Sequence, residues 1–369
     1  MFVAQAVHGG GAEVVVCRWS NRLVELGHQV DVVTTNPKLQ DAQLDGQVTR
    51  FRLREASAFR KVTALRRLVT RRHPDVVMSH LTRQNVLLLA SMATLPRARR
   101  PTVAIEEHSV LSLISGSSVS GIAGRSLARA LYPRADLVIA VSHATAADLL
   151  RYGVDADKVR VVANPLLEVG RPAPLPRVPD GANSRTRPLR LIASMRLVPQ
   201  KQPIRALEAT RELRSRGYDA RLVSFGAGPL LEEMRKASQA MDVPVEFRGW
   251  TESWTEACDR EDIVLLPSRV EGFGNVLIEA AAAGLRVVAP STALGVADAV
   301  VPGVTGELAL TASASDLADA VERAVKLELP NLPAWLDRFS TRASTDALLA
   351  ALASRSPGRA SITREGSTE

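Results

Sequence analysis

Short apolar, β-branched runs alternate with longer segments of helical periodicity, and this pattern is laid down twice along the chain. In the first half the runs fall at residues 2–7, 30–35, 76–79, 103–106, 137–141 and 159–162, with helical patterns at 12–26 and 58–72 among those between them. In the second they fall at 189–194, 220–225, 245–247, 263–266 and 286–289, followed by helical patterns at 313–326 and 332–352. Near-continuous apolar runs separated by helices predict parallel strands buried on both faces. Between the two sets, residues 171–188 contain Pro172, Pro174, Pro176, Pro179 and Pro188 with Gly181, a composition that interrupts helices and ladders alike. The predicted fold class is therefore α/β: two Rossmann-like, doubly wound parallel-sheet domains facing a central cleft. Their expected extents are 1–170 and 189–330, joined by a 171–188 linker. A C-terminal helix at 331–355 is expected to bridge back to the first domain, and the polar, aperiodic residues 356–369 are expected to form a flexible tail. A chain of 369 residues also exceeds what one core usually organises.

Open sheets of this kind bind ligands beyond the carboxyl ends of their strands, so the chemistry is sought in the cleft. With 46% hydrophobic and 23% charged residues the chain reads as globular, neither disordered nor fibrous. Its two cysteines, Cys17 and Cys258, match no metal-ligand spacing and are expected to be free in a reducing compartment. The first residues lack a basic leader region, and the longest apolar stretch, 86–95, is roughly half of a membrane span. A cytoplasmic protein is expected.

The net charge of +8 lies wholly in residues 1–170, which carry 22 basic against 14 acidic residues. Much of it sits at Arg50, Arg52, Arg54, Arg60, Lys61, Arg66, Arg67, Arg71 and Arg72. Residues 58–72 form an amphipathic pattern with Val62, Leu65, Leu68 and Val69 on the apolar side. Two readings stand side by side: a helix that docks on anionic lipid on the inner face of a membrane, and a solvated helix packed on a sheet. Nucleic acid is not expected as a partner, because aromatics make up only 4% of the chain and no recognition signature accompanies the charge.

Three turns carry candidate chemistry. After the run at 263–266 comes Pro267-Ser268-Arg269-Val270-Glu271-Gly272-Phe273-Gly274-Asn275, with Glu279 eight residues beyond Glu271. The glycines allow close backbone approach to a ligand, and a helix starting near Asn275 offers amides to an anionic or hydroxyl-rich one. Glu279, one turn inside, can accept two hydrogen bonds from a vicinal diol such as ribose. After 189–194 comes Met195-Arg196-Leu197-Val198-Pro199-Gln200-Lys201, with two cations five residues apart that could stabilise a group on which negative charge develops. His8-Gly9-Gly10-Gly11-Ala12-Glu13 follows the first run; a dinucleotide fingerprint is disfavoured, since Val14 occupies its third glycine position.

The Glu271–Glu279 run resembles the Glu-x7-Glu signature of the retaining glycosyltransferases of family four, which have the GT-B fold. The resemblance implies that Glu271 and the loop of Phe273, Gly274 and Asn275 face the donor sugar, while Glu279 holds the ribose. It implies a diphosphate-stabilising role for Arg196 and Lys201, although Met195 stands where the family has glycine. It also implies donor contacts by the amides of Gly10 and Gly11, by His108, by the Gly226-Ala227-Gly228 turn and by the segment Arg248-Gly249. Where the family usually carries glutamate after its last donor-domain strand, this chain has Asp298. The implied activity is metal-independent transfer of a sugar, with retention, from a nucleotide diphosphate donor such as a UDP-sugar. The expected acceptor is a glycan or lipid-linked saccharide of cell-envelope or polysaccharide biosynthesis. Asp155-Ala156-Asp157 has the form of a metal-binding DxD but is read as a surface turn, and neither a metal nor any cofactor beyond the nucleotide sugar is expected. A nucleotide-sugar epimerase and a non-catalytic nucleotide-sugar-binding protein are the alternatives.

Overall fold

The computed structural model describes residues 1–7, 11–36, 44–55, 57–96, 99–113, 119–166, 188–329 and 332–355, excepting the side chains of 119–122. The expected linker and tail lie outside the described residues, apart from Pro188, as does Gly10.

The first unit comprises strands β1 (Phe2–Ala4), β2 (Asp31–Thr34), β3 (Thr49–Arg52), β4 (Val76–His80), β5 (Thr102–Glu107), β6 (Leu137–Ala140) and β7 (Val159–Val161). Helices α1 (Gly11–Glu25), α2 (Ala58–Arg72), α3 (Thr82–Met92), α4 (Val119–Leu131) and α5 (His143–Arg151) connect them. The strand order is β3-β2-β1-β4-β5-β6-β7, all parallel. The second unit comprises β8 (Leu189–Ser194), β9 (Ala220–Phe225), β10 (Val245–Phe247), β11 (Ile263–Leu265), β12 (Arg286–Pro290) and β13 (Gly306–Ala309). Its helices are α6 (Pro203–Ser215), α7 (Leu231–Ala240), α8 (Asn275–Ala282) and α9 (Ala314–Val325), and α10 (Pro333–Asp337) and α11 (Thr341–Ala353) complete the described chain. This sheet runs β10-β9-β8-β11-β12-β13, again all parallel.

Both orders reverse direction once, between β1 and β4 in the first sheet and between β8 and β11 in the second. Diverging connections open a crevice at such a switch point. The turns that flank the crevices follow β1, β4, β8 and β11, and the last two carry the Arg196–Lys201 and Glu271 segments. The first sheet is covered on both faces, by one core around Leu65, Leu88, Val103 and Tyr132 and another around Val15, Trp19, Val32 and Leu137. One large core serves the second sheet.

Two strands appear that apolar runs did not predict. β3 is a polar edge strand, with Thr49, Arg50 and Arg52 exposed, and β13 begins at a glycine. The helix expected over 332–352 is two helices: α10 ends at Asp337, and Ser340 caps the start of α11, its hydroxyl accepting from the Ala343 N–H at 3.1 Å. The second of these, α11, packs on α1: Leu348 and Ala351 join the core around Trp19, whose indole N–H donates to Ser344 Oγ at 2.9 Å.

Candidate active site

The loop after β8 is braced by the turn after β9. Met195 N–H donates to Phe225 O at 3.1 Å, Leu197 N–H to Ala227 O at 2.9 Å and Leu230 N–H to Leu197 O at 3.1 Å. A Cβ on Gly226 would stand 2.0 Å from Met195 O, and one on Gly228, at φ +156, 2.4 Å from Leu197 O. The Gly226 turn thus serves the cation loop by its lack of side chains. Met195 needs no glycine freedom: it is absent from the positive-φ residues, and its side chain is buried in the core of the second sheet. A short 3₁₀ turn, Pro199–Lys201, ends at Gln202 in the left-handed region and directs Lys201 inward.

Lys201 Nζ lies 2.5 Å from Glu271 Oε1. Gln200 Nε2 reinforces the pairing of the two loops by donating to Val270 O at 2.9 Å, while Arg269 N–H donates to Gln200 O. Glu271 is itself held by its backbone, its N–H on Ala293 O and its carbonyl accepting from Gly295 N–H. Two segments 70 residues apart in sequence therefore meet as one cation–carboxylate pair. Arg196 sits on the same loop with its side chain exposed.

Beyond Glu271 the roles divide. Gly274, at φ +94, turns the chain into α8. The Phe273 ring points into the core against Phe339, 5.6 Å between centroids, so only its backbone is left to a ligand. Asn275 Oδ1 accepts from Asn164 Nδ2 of the first unit at 2.8 Å, and a Cβ on Gly11 would meet Asn275 Nδ2 at 2.8 Å. The N-termini of α1 and α8 thus abut across the cleft. Glu279 Oε2 accepts from the Trp254 indole at 3.2 Å; burial raises its pKa, against the opposing pull of Trp254 and Arg18. At the end of β10, Arg248 pairs with Glu246 at 2.7 Å and lies over the Phe225 ring. Gly249 follows at φ +72, and the Trp250 side chain next to it is 57% exposed.

From the first unit, His108 reaches the same place. A Cβ on Gly272 would fall 1.9 Å from His108 O, so the loop after β5 rests directly on the Glu271 loop. Behind His108 lies a buried polar cluster that the sequence did not single out: Glu106 and Glu107 at the end of β5, His80 ending β4, and Thr82, Asn85 and Tyr132. The one sequence signal for it is a pair of carboxylates closing an apolar strand. His80, Glu106 and His108 offer ligand atoms within 4.8 Å of one another, a composition that could hold a metal ion. His80 Nδ1 is hydrogen-bonded to Glu106 Oε2, and His108 Nε2 lies 2.9 Å from the same oxygen without hydrogen-bond geometry. Asp298 faces the other unit too, accepting from the His143 N–H at 2.7 Å at the start of α5. Asp157 pairs with Arg355 at the surface, away from these groups.

Comparison with known proteins accounts for both units. Residues 9–166 match the Glycosyltransferase Family 4 model, and residues 179–342 match that of Glycosyl transferases group 1. A Campylobacter jejuni alpha-1,4-N-acetyl-D-galactosaminyltransferase that extends a diNAcBac-PP-undecaprenol-linked saccharide is 25% identical over 75% of this chain and 75% of its own. A Mycobacterium tuberculosis GDP-mannose-dependent phosphatidylinositol monomannoside mannosyltransferase is 30% identical over 52% of this chain and 49% of its own. The curated relatives are spanned unevenly, down to 14% of a Streptomyces coelicolor exopolysaccharide phosphotransferase. Anabaena Alr3699/HepE, solved in complex with UDP, superposes with a TM-score of 0.74 at 18% identity, over 96% of this chain and 99% of that one. With two all-parallel α/β units and a family model matched by each, the chain belongs to the glycosyltransferase family 4-like proteins of GT-B fold.

Proposed function

We propose that this chain transfers a sugar, with retention of configuration and without a metal ion, from a UDP-sugar to a glycan or lipid-linked saccharide of cell-envelope or polysaccharide biosynthesis. The observation that carries this reading is the Lys201–Glu271 pair at the switch point of the second sheet, with the loop of His108 resting on it. A diphosphate entering there meets Lys201, Arg196 and the N-termini of α1 and α8, fixed positive groups that stabilise the leaving group as charge develops on it. Glu271 and His108 take the hydroxyls of the donor sugar, and Glu279 takes the ribose. The acceptor hydroxyl attacks the anomeric carbon on the face from which the diphosphate leaves, and a phosphate oxygen receives its proton.

UDP is favoured by the Anabaena protein's complexes with UDP and with UDP-glucose, while the mycobacterial relative's name specifies GDP-mannose. A lipid-linked acceptor is favoured by the names of the Campylobacter and mycobacterial relatives and by the face of α2. No helix among the described residues is long and apolar enough to cross a membrane. Helix α2 exposes Arg60, Arg66, Arg67 and Arg71 together with Phe59, 78% exposed, which suits peripheral docking on an anionic inner leaflet.

The test is a panel of nucleotide sugars screened for thermal stabilisation, followed by mass analysis of lipid-linked and soluble acceptors. A UDP-sugar should stabilise the protein and add one sugar to an acceptor, in EDTA as in magnesium. Interconversion of the donor without acceptor would identify an epimerase; binding without cleavage in every mixture would identify a binding protein.

A further inference from the structure

The first unit carries a cavity of about 260 Å³ where α4, α5 and the 3₁₀ turn Leu111–Leu113 meet, lined by Ser112, Arg125, Ser126, Arg129, Arg151 and Tyr152. Three guanidiniums, two serine hydroxyls and a phenol form a lining that donates hydrogen bonds and complements an anion. Arg125 and Arg129, four residues apart, share one face of α4, and Arg151 ends α5. Arg129 Nη1 donates to a carbonyl, Arg151 O, at 3.3 Å, rather than to a carboxylate. Asp148 stands behind the lining, buried, with Oδ2 accepting from the Ser112 N–H at 3.0 Å. The charges acting on the Tyr152 phenol are Asp148, Arg125, Arg129 and, from the end of β5, Glu107. The carboxylates thus lie behind the lining and the guanidiniums in it, so the opening presents positive charge.

Each of the three segments also exposes a leucine beside its polar lining: Leu113 next to Ser112, Leu127 next to Ser126 and Leu150 next to Arg151, at 40, 47 and 46% exposure. Scattered singly, such residues are ordinary. Carried by the segments that build one cationic cavity, they give its mouth an apolar margin.

We propose that this cavity binds the diphosphate of a lipid-linked acceptor, with the leucines against the lipid and the saccharide directed toward the cleft. This rests on the reading of the chain as a transferase, and narrows its acceptor to one whose sugar is joined to lipid through diphosphate. Guanidinium forks pair with phosphate oxygens two at a time. Three of them exceed what one phosphodiester charge needs and match the two charges of a diphosphate. A neutral glycolipid would leave the arginines without a partner, and a soluble anion would leave the leucines without one. Position agrees with this assignment. Ser112 follows His108 by four residues, so at most about 14 Å separates their Cα atoms, a gap that a short saccharide spans. Helix α2 presents Arg66, Arg67 and Arg71 to solvent and answers surface charge in general, whereas the cavity reads the diphosphate itself.

The test compares phosphatidylcholine vesicles carrying a glycosylated polyprenyl diphosphate with vesicles carrying phosphatidylglycerol at equal surface charge. The wild-type protein should sediment with the diphosphate vesicles at about tenfold lower lipid concentration. Arg125→Gln/Arg129→Gln, and separately Arg151→Gln, should level the two vesicle types at unchanged melting temperature and UDP affinity. Both should also raise the KM for a diphosphate-linked acceptor with kcat little changed. Substitution of Arg66, Arg67 and Arg71 by Gln should instead weaken binding to both vesicle types alike. Leu127→Ser/Leu150→Ser should weaken sedimentation and leave binding of inorganic pyrophosphate unchanged. Equal binding of the two vesicle types by the wild-type protein, or a preference that survives both sets of arginine substitutions, would overturn the proposal. Pyrophosphate binding together with vesicle binding indifferent to the leucines would overturn the lipid assignment and give the cavity to a soluble diphosphate. Absence of transfer to every acceptor would remove the proposed function, and the vesicle preference would still decide this site.

Discussion

At the scale of the residue, the site is a set of charges held in place by backbone. Glu271 makes backbone bonds through its own N–H and carbonyl, so its side chain can be changed without loosening the loop. Glu271→Gln should leave the melting temperature near wild type and reduce transfer by about a hundredfold or more, since one charged contact to the reacting sugar is lost. Near-native turnover of the folded variant would remove Glu271 from the reaction. If Lys201 meets the diphosphate as proposed, Lys201→Ala should weaken UDP and UDP-sugar binding together while UMP binding changes less; equal losses for all three in calorimetry would point to a folding defect. Glu279 has a cost as well as a use. Burial holds its folded pKa above the unfolded value of about 4.5, so the native state binds the proton more tightly and stability declines as pH rises through that interval. Glu279→Gln should therefore raise the melting temperature at neutral pH relative to wild type while weakening UDP binding, and the advantage should vanish in acid. A melting temperature lowered equally at both pH values would show that Glu279 stabilises the fold.

These residues were legible in the sequence because their chemistry is local. Glu271, Gly272, Gly274 and Glu279 lie within one turn and one helix, and Arg196 and Lys201 lie within one loop. The inward turn of Phe273 and the tolerance of Met195 depend on the neighbours Phe339 and Gly226, which lie 66 and 31 residues away and carry no local mark. The partners of His108 were illegible for the same reason, since pairing of β4 with β5 brings His80 beside Glu106.

At the scale of the element, the apolar runs located every inner strand and the edge strands β7 and β10, and missed the other two edges, β3 and β13. β3 pairs only with β2 and shows solvent a threonine and arginines, and β13 pairs only with β12. Helix α2 was legible at both ends. Ser57 caps its start by accepting from the Arg60 N–H at 3.3 Å, and His73 closes it in the left-handed region. Its buried stripe is narrower than the pattern implied, with Leu65 and Val69 fully buried and Val62 and Leu68 only partly. Its charges are not equivalent either. Arg72 is held by Asp31 in two hydrogen bonds of 2.9 and 3.0 Å, and Lys61 donates to Thr35 O, whereas Arg66, Arg67 and Arg71 point into solvent. Sedimentation with anionic vesicles should show binding that falls with ionic strength and is weakened by the Arg66, Arg67 and Arg71 to Gln triple variant. Phe59→Ser should weaken binding at high salt as well. Failure to sediment at low salt would leave α2 as a solvated helix and favour a soluble acceptor.

At the scale of the whole molecule, two sheets with the same single reversal of strand order set their switch points against one cleft, and the contacts across it are made by backbone and small polar groups. Gly272 against His108 O, Gly11 against Asn275, Asn164 on Asn275 and Asp298 on the α5 N-terminus join the two units. A methyl at Gly272 would lie 1.9 Å from a backbone oxygen, a distance only a relative shift of the two loops can relieve. Gly272→Ala should accordingly lower kcat/KM by about a hundredfold through misplacement of His108 against the donor, with UDP affinity largely retained because Lys201 and Glu279 lie wholly in the second unit. The central claim, that this cleft performs retaining transfer from a nucleotide sugar, is tested most directly by following the anomeric proton. An α-linked UDP-sugar that stabilises the protein is incubated with acceptor and watched by proton NMR from the first turnovers. The account predicts that UDP is released in step with a new glycoside whose initial anomeric signal is α. A β signal at first appearance, or release of UDP with no new glycoside in the presence of every acceptor class, would contradict it.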